Sequence, residues 1–153
     1  MAIDANEMNR RLVGLAESRD VRFWRVDYSQ LSAPEQVFLE IWELEAELNN
    51  GGFEQYFSNS SGRLAPHAGG ALRAIGAEAM AAIVDQAFSA VDHGVSWSND
   101  EARKATLIAL KSETLQKLEG LDEAFRAYPN NLNDLLYRFV SAHRGEIGAP
   151  ADF

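Results

Sequence analysis

Glu43, Glu47 and Glu54, interleaved with Asn50, Gln55 and Asn59, come closest in this chain to a reactive set. Two carboxylates with an orienting amide divide general-acid and general-base work when their surroundings push the two pKa values apart. Nothing in the flanking residues signals the burial that such a split requires. We therefore read these groups as non-catalytic and the chain as not an enzyme. The histidines supply no alternative, because His67, His93 and His143 lie far apart and none has His-Glu-x-x-His spacing. Asp92 and His93 fall at a helix end, where the dipole alone favours a histidine. A Walker loop, a Gly-x-Ser-x-Gly elbow and a dinucleotide fingerprint are all absent. Gly51-Gly52 follows a helical pattern rather than a strand and has no Lys after it. No metal and no cofactor is expected.

The same carboxylates have a second chemistry, that of a charged surface. From Val26 to Gly62 the chain holds Asp27, Glu35, Glu40, Glu43, Glu45, Glu47 and Glu54 without one Lys or Arg. Over the whole chain 14 Lys and Arg face 23 Asp and Glu, a net charge of −9. Duplex DNA and anionic membranes are repelled by such a protein, and basic proteins are attracted. Along a helix, Glu40, Glu43 and Glu47 are separated by about 4.5 and 6 Å of rise. One DNA strand carries a phosphate per about 3.4 Å of axis, so the match is loose but the sign is right. The N-terminal quarter runs the other way, with Arg10, Arg11, Arg19, Arg22 and Arg25.

The elements that position these groups read as helices almost throughout. Met8, Leu12, Leu15 and Ala16 mark a short first helix, and the partial alternation of Val21, Phe23, Trp24 and Val26 predicts an extended connector or short edge strand. Ser32, Pro34 and Glu35 form a capping box that opens a helix running to about Asn49. On it Val37, Ile41, Leu44 and Leu48 share one arc and Phe38, Leu39, Trp42 and Ala46 another. Glu40, Glu43 and Glu47 fall between the arcs as an exposed acidic stripe. Gly51 and Gly52 close that helix, and a short one from Phe53 to about Phe57 follows, stopped by Asn59-Ser60-Ser61-Gly62. After Pro66 an Ala- and Gly-rich pattern through Leu72, Ile75, Met80, Ile83, Val84 and Val91 predicts one long thin helix to Asp92. Ser98 with Glu101 predicts a second capping box, and two further helices end near Pro129 and His143.

The fold class is all-α: a single domain of about six helices around the long Ala-rich one. Residues 1–31 form the N-terminal helix and connector, 32–144 the core, and 145–153 a frayed Gly-Ala-Pro tail. With 153 residues the core suffices without staples, and there is no Cys for disulfides. No run approaches a membrane span and the first residues lack a signal pattern, so the expectation is a cytoplasmic protein.

The string Glu47-Leu48-Asn49-Asn50-Gly51-Gly52-Phe53-Glu54-Gln55-Tyr56-Phe57-Ser58-Asn59-Ser60-Ser61-Gly62 resembles the C-terminal domain of the bacterial DNA-mimic protein family. The Ala-rich segment after Pro66, Leu121-Asp122 through Phe125, Leu136-Tyr137 and His143 extend the resemblance over residues 35–146. It implies an all-helical fold and sequestration of a DNA-binding protein, often a transcriptional regulator, by an acidic surface that imitates duplex phosphates. Transferred to this chain, that role falls on Glu40, Glu43, Glu47 and Glu54, with Asp27 and Glu45 as weaker candidates.

The expected partner is thus a basic or DNA-binding protein, with no direct contact to nucleic acid and homodimerisation left open. Asn50, Gly51, Gly52, Phe53, Gln55, Phe57 and Asn59 read chiefly as a structural motif. Two alternatives stand beside this reading: a small-ligand or hydrolytic site centred on Glu47, Asn50, Glu54, Gln55 and Asn59, and an immunity-type protein that neutralises a basic toxin.

Overall fold

In the computed structural model, which describes residues 3–18 and 22–153, every regular element is helical. Helix α1, Ala5–Glu17, starts where the Asp4 carboxylate accepts the Glu7 N–H at 2.8 Å. Arg19 and Val21 lie outside the described residues, as does the side chain of Arg22. Arg22–Trp24 form a 3-10 turn rather than the extended connector or edge strand that the alternation predicts. Seating one ring accounts for the coil: Phe23 is buried and stacks on Phe38 at 5.0 Å.

Helix α2, Ala33–Asn50, begins with the expected reciprocal cap, Glu35 N–H to Ser32 Oγ at 3.2 Å and Ser32 N–H to Glu35 Oε1 at 2.9 Å. Helix α3, Gly52–Ser58, follows at once and runs into a 3-10 segment, Ser60–Leu64. The single Ala-rich helix predicted after Pro66 is two helices, α4, Ala65–Ala74, and α5, Glu78–Val91. Gly76 at φ +86° breaks it, with the Ala77 N–H reaching back to Leu72 O at 2.8 Å. A glycine in the left-handed region closes a helix this way, and periodicity alone passes over it because the apolar residues keep their spacing. Asn130 then caps α5 from a distance, its Oδ1 accepting the Met80 N–H at 2.9 Å.

Helices α6, Asp100–Ile108, α7, Ser112–Arg126, α8, Leu132–Ala142, and the single turn α9, Arg144–Ile147, complete the nine among the described residues, against about six expected. The cap of α6 is Asn99, whose Oδ1 accepts the Ala102 N–H at 3.0 Å, and not Ser98 one residue earlier. The tail does not fray. Ile147 and Phe153 are buried, Phe153 stacks on Tyr137 at 5.1 Å, and Arg11 donates to the Asp152 carbonyl at 2.5 Å.

Nor is the Ala-rich segment the centre of the fold. That place belongs to α2, which packs on α3, α4, α7, α8 and α9. Its Phe38, Ile41, Leu44 and Leu48 are almost wholly removed from water. The small side chains of Ala71, Ala81 and Ala87 let α4 and α5 pack closely, and α5 also lies against α7.

A candidate protein-binding face around a short helix

The position of α3 is set by three contacts that the glycine-rich motif makes possible. Gly52 sits at φ +85°, and a Cβ there would overlap the Asp122 carboxylate from α7. Without a side chain in the way, Asp122 Oδ1 accepts the Phe53 N–H at 2.7 Å and caps α3 across the fold. At the other end Arg103, fully buried, donates to Phe57 O and Asn59 O at 2.7 Å each and to Trp97 O at 2.6 Å. Gly62 leaves room for it, since a Cβ there would lie 2.6 Å from Arg103 Nε and overlap the Phe57 carbonyl. Phe53 and Phe57 are buried between these anchors.

Gly52 and Gly62 thus stand where a side chain would clash, and Phe53 and Phe57 lie in the core. Gly52→Ala is expected to cost about 2 kcal/mol or more, because the left-handed backbone alone costs roughly 1–2 kcal/mol. Gly70→Ala, on an exposed site with open space around the added carbon, should be neutral or stabilising by up to about 1 kcal/mol. Urea denaturation of both variants checks this, and a Gly52→Ala midpoint equal to wild type would contradict it.

The carboxylates do not form one exposed stripe. Glu40 is inside, 4% exposed, and accepts a hydrogen bond from the Tyr28 hydroxyl, which the 3-10 turn Tyr28–Gln30 lays over it. Burial pushes its pKa up to about 7, with the Tyr28 bond pulling the other way. A carboxylate so covered has no outer surface to offer a partner, which corrects the expectation for this residue. Glu43 is half-buried, and its pKa is raised by burial, lowered by nearby Arg63 and raised again by Glu47. Glu47 accepts from Gln55 Nε2 at 2.7 Å and Asn59 Nδ2 at 3.0 Å. Glu54 is exposed on the opposite flank of α3, facing α7.

On that flank the structure supplies acids that the helical pattern did not single out. Glu54 and Glu119 both raise the pKa of half-buried Asp122, after burial itself, while the Phe53 N–H and Arg126 lower it. Glu119 and Glu123 are exposed beside it on α7. The sequence signal was available in the spacing of Glu119, Asp122 and Glu123, which share one side of a helix. What it lacked was the knowledge that α3 packs there.

Two of the predicted acids lie elsewhere. Asp27 is exposed at the start of the Tyr28 turn. Glu45 is half-buried on another side of α2, where its pKa is raised by burial and lowered by a hydrogen bond from the Tyr128 hydroxyl. Asn50 is exposed at the end of α2.

Folding also brings bases to a face that is base-free in sequence. Arg63 approaches Glu43 and donates to Ser60 O at 3.3 Å; Arg126 closes the end of α2 with two bonds to Leu48 O, 3.0 and 2.7 Å. Arg10 and Arg11, by contrast, pair with Glu7 on α1, which packs against α8. The acidic groups around α3 thus come from three helices and outnumber the guanidinium groups among them. A cavity of about 590 Å³ lined by Arg11, Leu15, Pro150 and Phe153 lies apart from them, between α1 and the C-terminal segment.

Residues 29–143 match a family model described as DMP19-like protein. Comparison with curated proteins and with solved structures gave no match.

Proposed function

The chain belongs to the DMP19-like protein family, and from that premise we propose that the acids around α3 bind the basic surface of a DNA-binding protein in place of DNA. The family is one of DNA mimics. The observation that carries the reading for this chain is the gathering of carboxylates from three helices around α3, Glu43 and Glu47 on α2, Glu54 on α3 and Glu119 on α7, where like charges repel one another. Lys and Arg side chains from a partner relieve that repulsion, as counterions do along phosphates. Glu43, Glu47, Glu54 and Glu119 carry the role. Glu40 is excluded by its burial. The amides of Gln55 and Asn59 are committed to Glu47, which favours a docking face over a small-ligand site.

The test is capture from the source cells with the wild-type chain and with Glu43→Gln, Glu47→Gln, Glu54→Gln and Glu119→Gln combined. Each partly exposed ion pair is worth about 0.2–1 kcal/mol, so the combined variant should bind about 10- to 100-fold more weakly. Raising salt from about 50 to about 300 mM should weaken wild-type capture in the same direction. Capture indifferent to both changes contradicts the proposal. The identity of the captured protein separates a DNA-binding regulator from a basic toxin.

A further inference from the structure

The open side of α2 takes in the outer half of the second apolar arc, where Trp42 is half-buried and Ala46 exposed. It is the row Trp42, Glu45, Ala46 and Asn49, which lines a cleft of about 170 Å³. A second cleft of about 420 Å³ meets it at Glu45, walled by Tyr128 and by Asn9, Asn130, Asn131 and Asn133. Glu45 is half-buried, and no Lys or Arg among the described residues forms an ion pair with it. A carboxylate partly removed from water and left without a counter-charge favours any cation that can reach it.

The surroundings fit one cation better than others. The Trp42 indole, stacked on Phe38 at 5.6 Å, forms one wall of the smaller cleft. A guanidinium is planar, stacks on indole faces and binds carboxylates through two parallel N–H groups, whereas an ammonium does so only as a point charge. Asn49 donates its Nδ2 to the Tyr128 hydroxyl at 2.8 Å, which leaves its Oδ1 as a further acceptor.

Backbone strain supplies an independent observation. Tyr128 holds φ +50°, the one non-glycine at positive φ among the described residues, and it does so directly before Pro129. A bulky residue in that region costs about 1–3 kcal/mol and persists where the surrounding structure requires it. Here the conformation brings the Tyr128 hydroxyl to Glu45 and Asn49 together, fixing the orientation of both.

We propose that the Trp42–Glu45–Asn49 cleft is an arginine socket, which takes one guanidinium side chain from the basic partner. This rests on the partner reading above and adds a specific anchor to a face that otherwise acts by diffuse charge. None of Glu43, Glu47, Glu54 and Glu119 lines either cleft, so the two parts are separable by mutation.

Titration with L-argininamide, followed by the Trp42 indole N–H resonance, tests the socket without a partner. Argininamide should shift that resonance in the wild-type protein, and citrullinamide, of the same shape but uncharged, should not. Glu45→Gln should weaken the response at least about tenfold. The combined Glu43, Glu47, Glu54 and Glu119 variant should keep it. No shift, an equal shift with citrullinamide or lysinamide, or an unchanged response in Glu45→Gln overturns the socket. Loss of capture by the combined variant with no argininamide response removes the socket and leaves the acidic face intact; the converse removes the face alone.

Discussion

Arg103→Met is expected to lower the unfolding free energy by about 4 kcal/mol. The guanidinium is fully buried and serves the carbonyls of Phe57, Trp97 and Asn59 at 2.6 to 2.7 Å, with Asp100 Oδ1 at 2.9 Å as its counter-charge. Methionine fills similar volume but leaves those carbonyls without a donor, and each orphaned acceptor costs about 1–3 kcal/mol where water cannot reach it. Phe57 O is the most enclosed of the three, and the other two recover part of the loss through hydration. Against a total of about 5–15 kcal/mol for a domain, that is a large fraction. Lysine should not rescue, because it lacks the planar fork that spans α3 and the Trp97 loop. Thermal melts of Arg103→Met and Arg103→Lys check this, at roughly 2–4 °C per kcal/mol for a chain of this length. A melting point within about 2 °C of wild type for either variant would contradict the anchoring role.

That anchor shows where the sequence stopped being informative. Local signals were readable wherever one residue and its neighbours in the chain settle the geometry. The Ser32–Glu35 capping box and the helix after it stand as predicted. Arg103 gives no such signal: the two carbonyls that it holds at the end of α3, Phe57 O and Asn59 O, lie 46 and 44 positions away, and an Arg in an amphipathic helix ordinarily points to water. Asp122 is hidden for the same reason, since its cap on Phe53 joins residues 69 apart. The glycines were legible as breaks, but what blocks a side chain at Gly52 is Asp122 from α7, and at Gly62 the Phe57 carbonyl together with Arg103 from α6.

Glu40→Gln is expected to stabilise the protein at pH 8 by about 2 kcal/mol while changing it little at pH 4.5. Burial raises the Glu40 pKa from an ordinary 4.5 to about 7, so the folded state holds this proton more tightly than the unfolded chain. The sign follows directly. Stability from this group is full below about 4.5, declines as pH rises toward 7, and is lost above it. Glutamine keeps an acceptor for the Tyr28 hydroxyl and never ionises, so the variant should be flatter across this window. Glu43, Glu45 and Asp122 are also raised and persist in both proteins, which is why the difference between the two curves is the quantity to measure. Urea midpoints at intervals from pH 4.5 to 8 supply it. Parallel curves would show that Glu40 titrates as a solvated carboxylate.

Glu40 also shows why helical periodicity misplaces the acidic stripe. A helical wheel gives correct angles between Glu40, Glu43 and Glu47, but it assigns exposure by assuming that apolar arcs alone are covered. Here the Tyr28 turn folds over the stripe from outside α2, and α3 brings Gln55 and Asn59 down on Glu47. The acidic surface that remains is assembled around α3 from α2, α3 and α7. Its charge was legible in composition; its shape required the fold.

Competition with DNA tests the central claim most directly. A captured partner is bound to its labelled duplex, and the chain is titrated in while fluorescence anisotropy reports the DNA. The account predicts displacement of the duplex, weaker at higher salt and at least about tenfold weaker for the combined Glu43, Glu47, Glu54 and Glu119 variant. A stable complex holding partner, DNA and this chain together would contradict it.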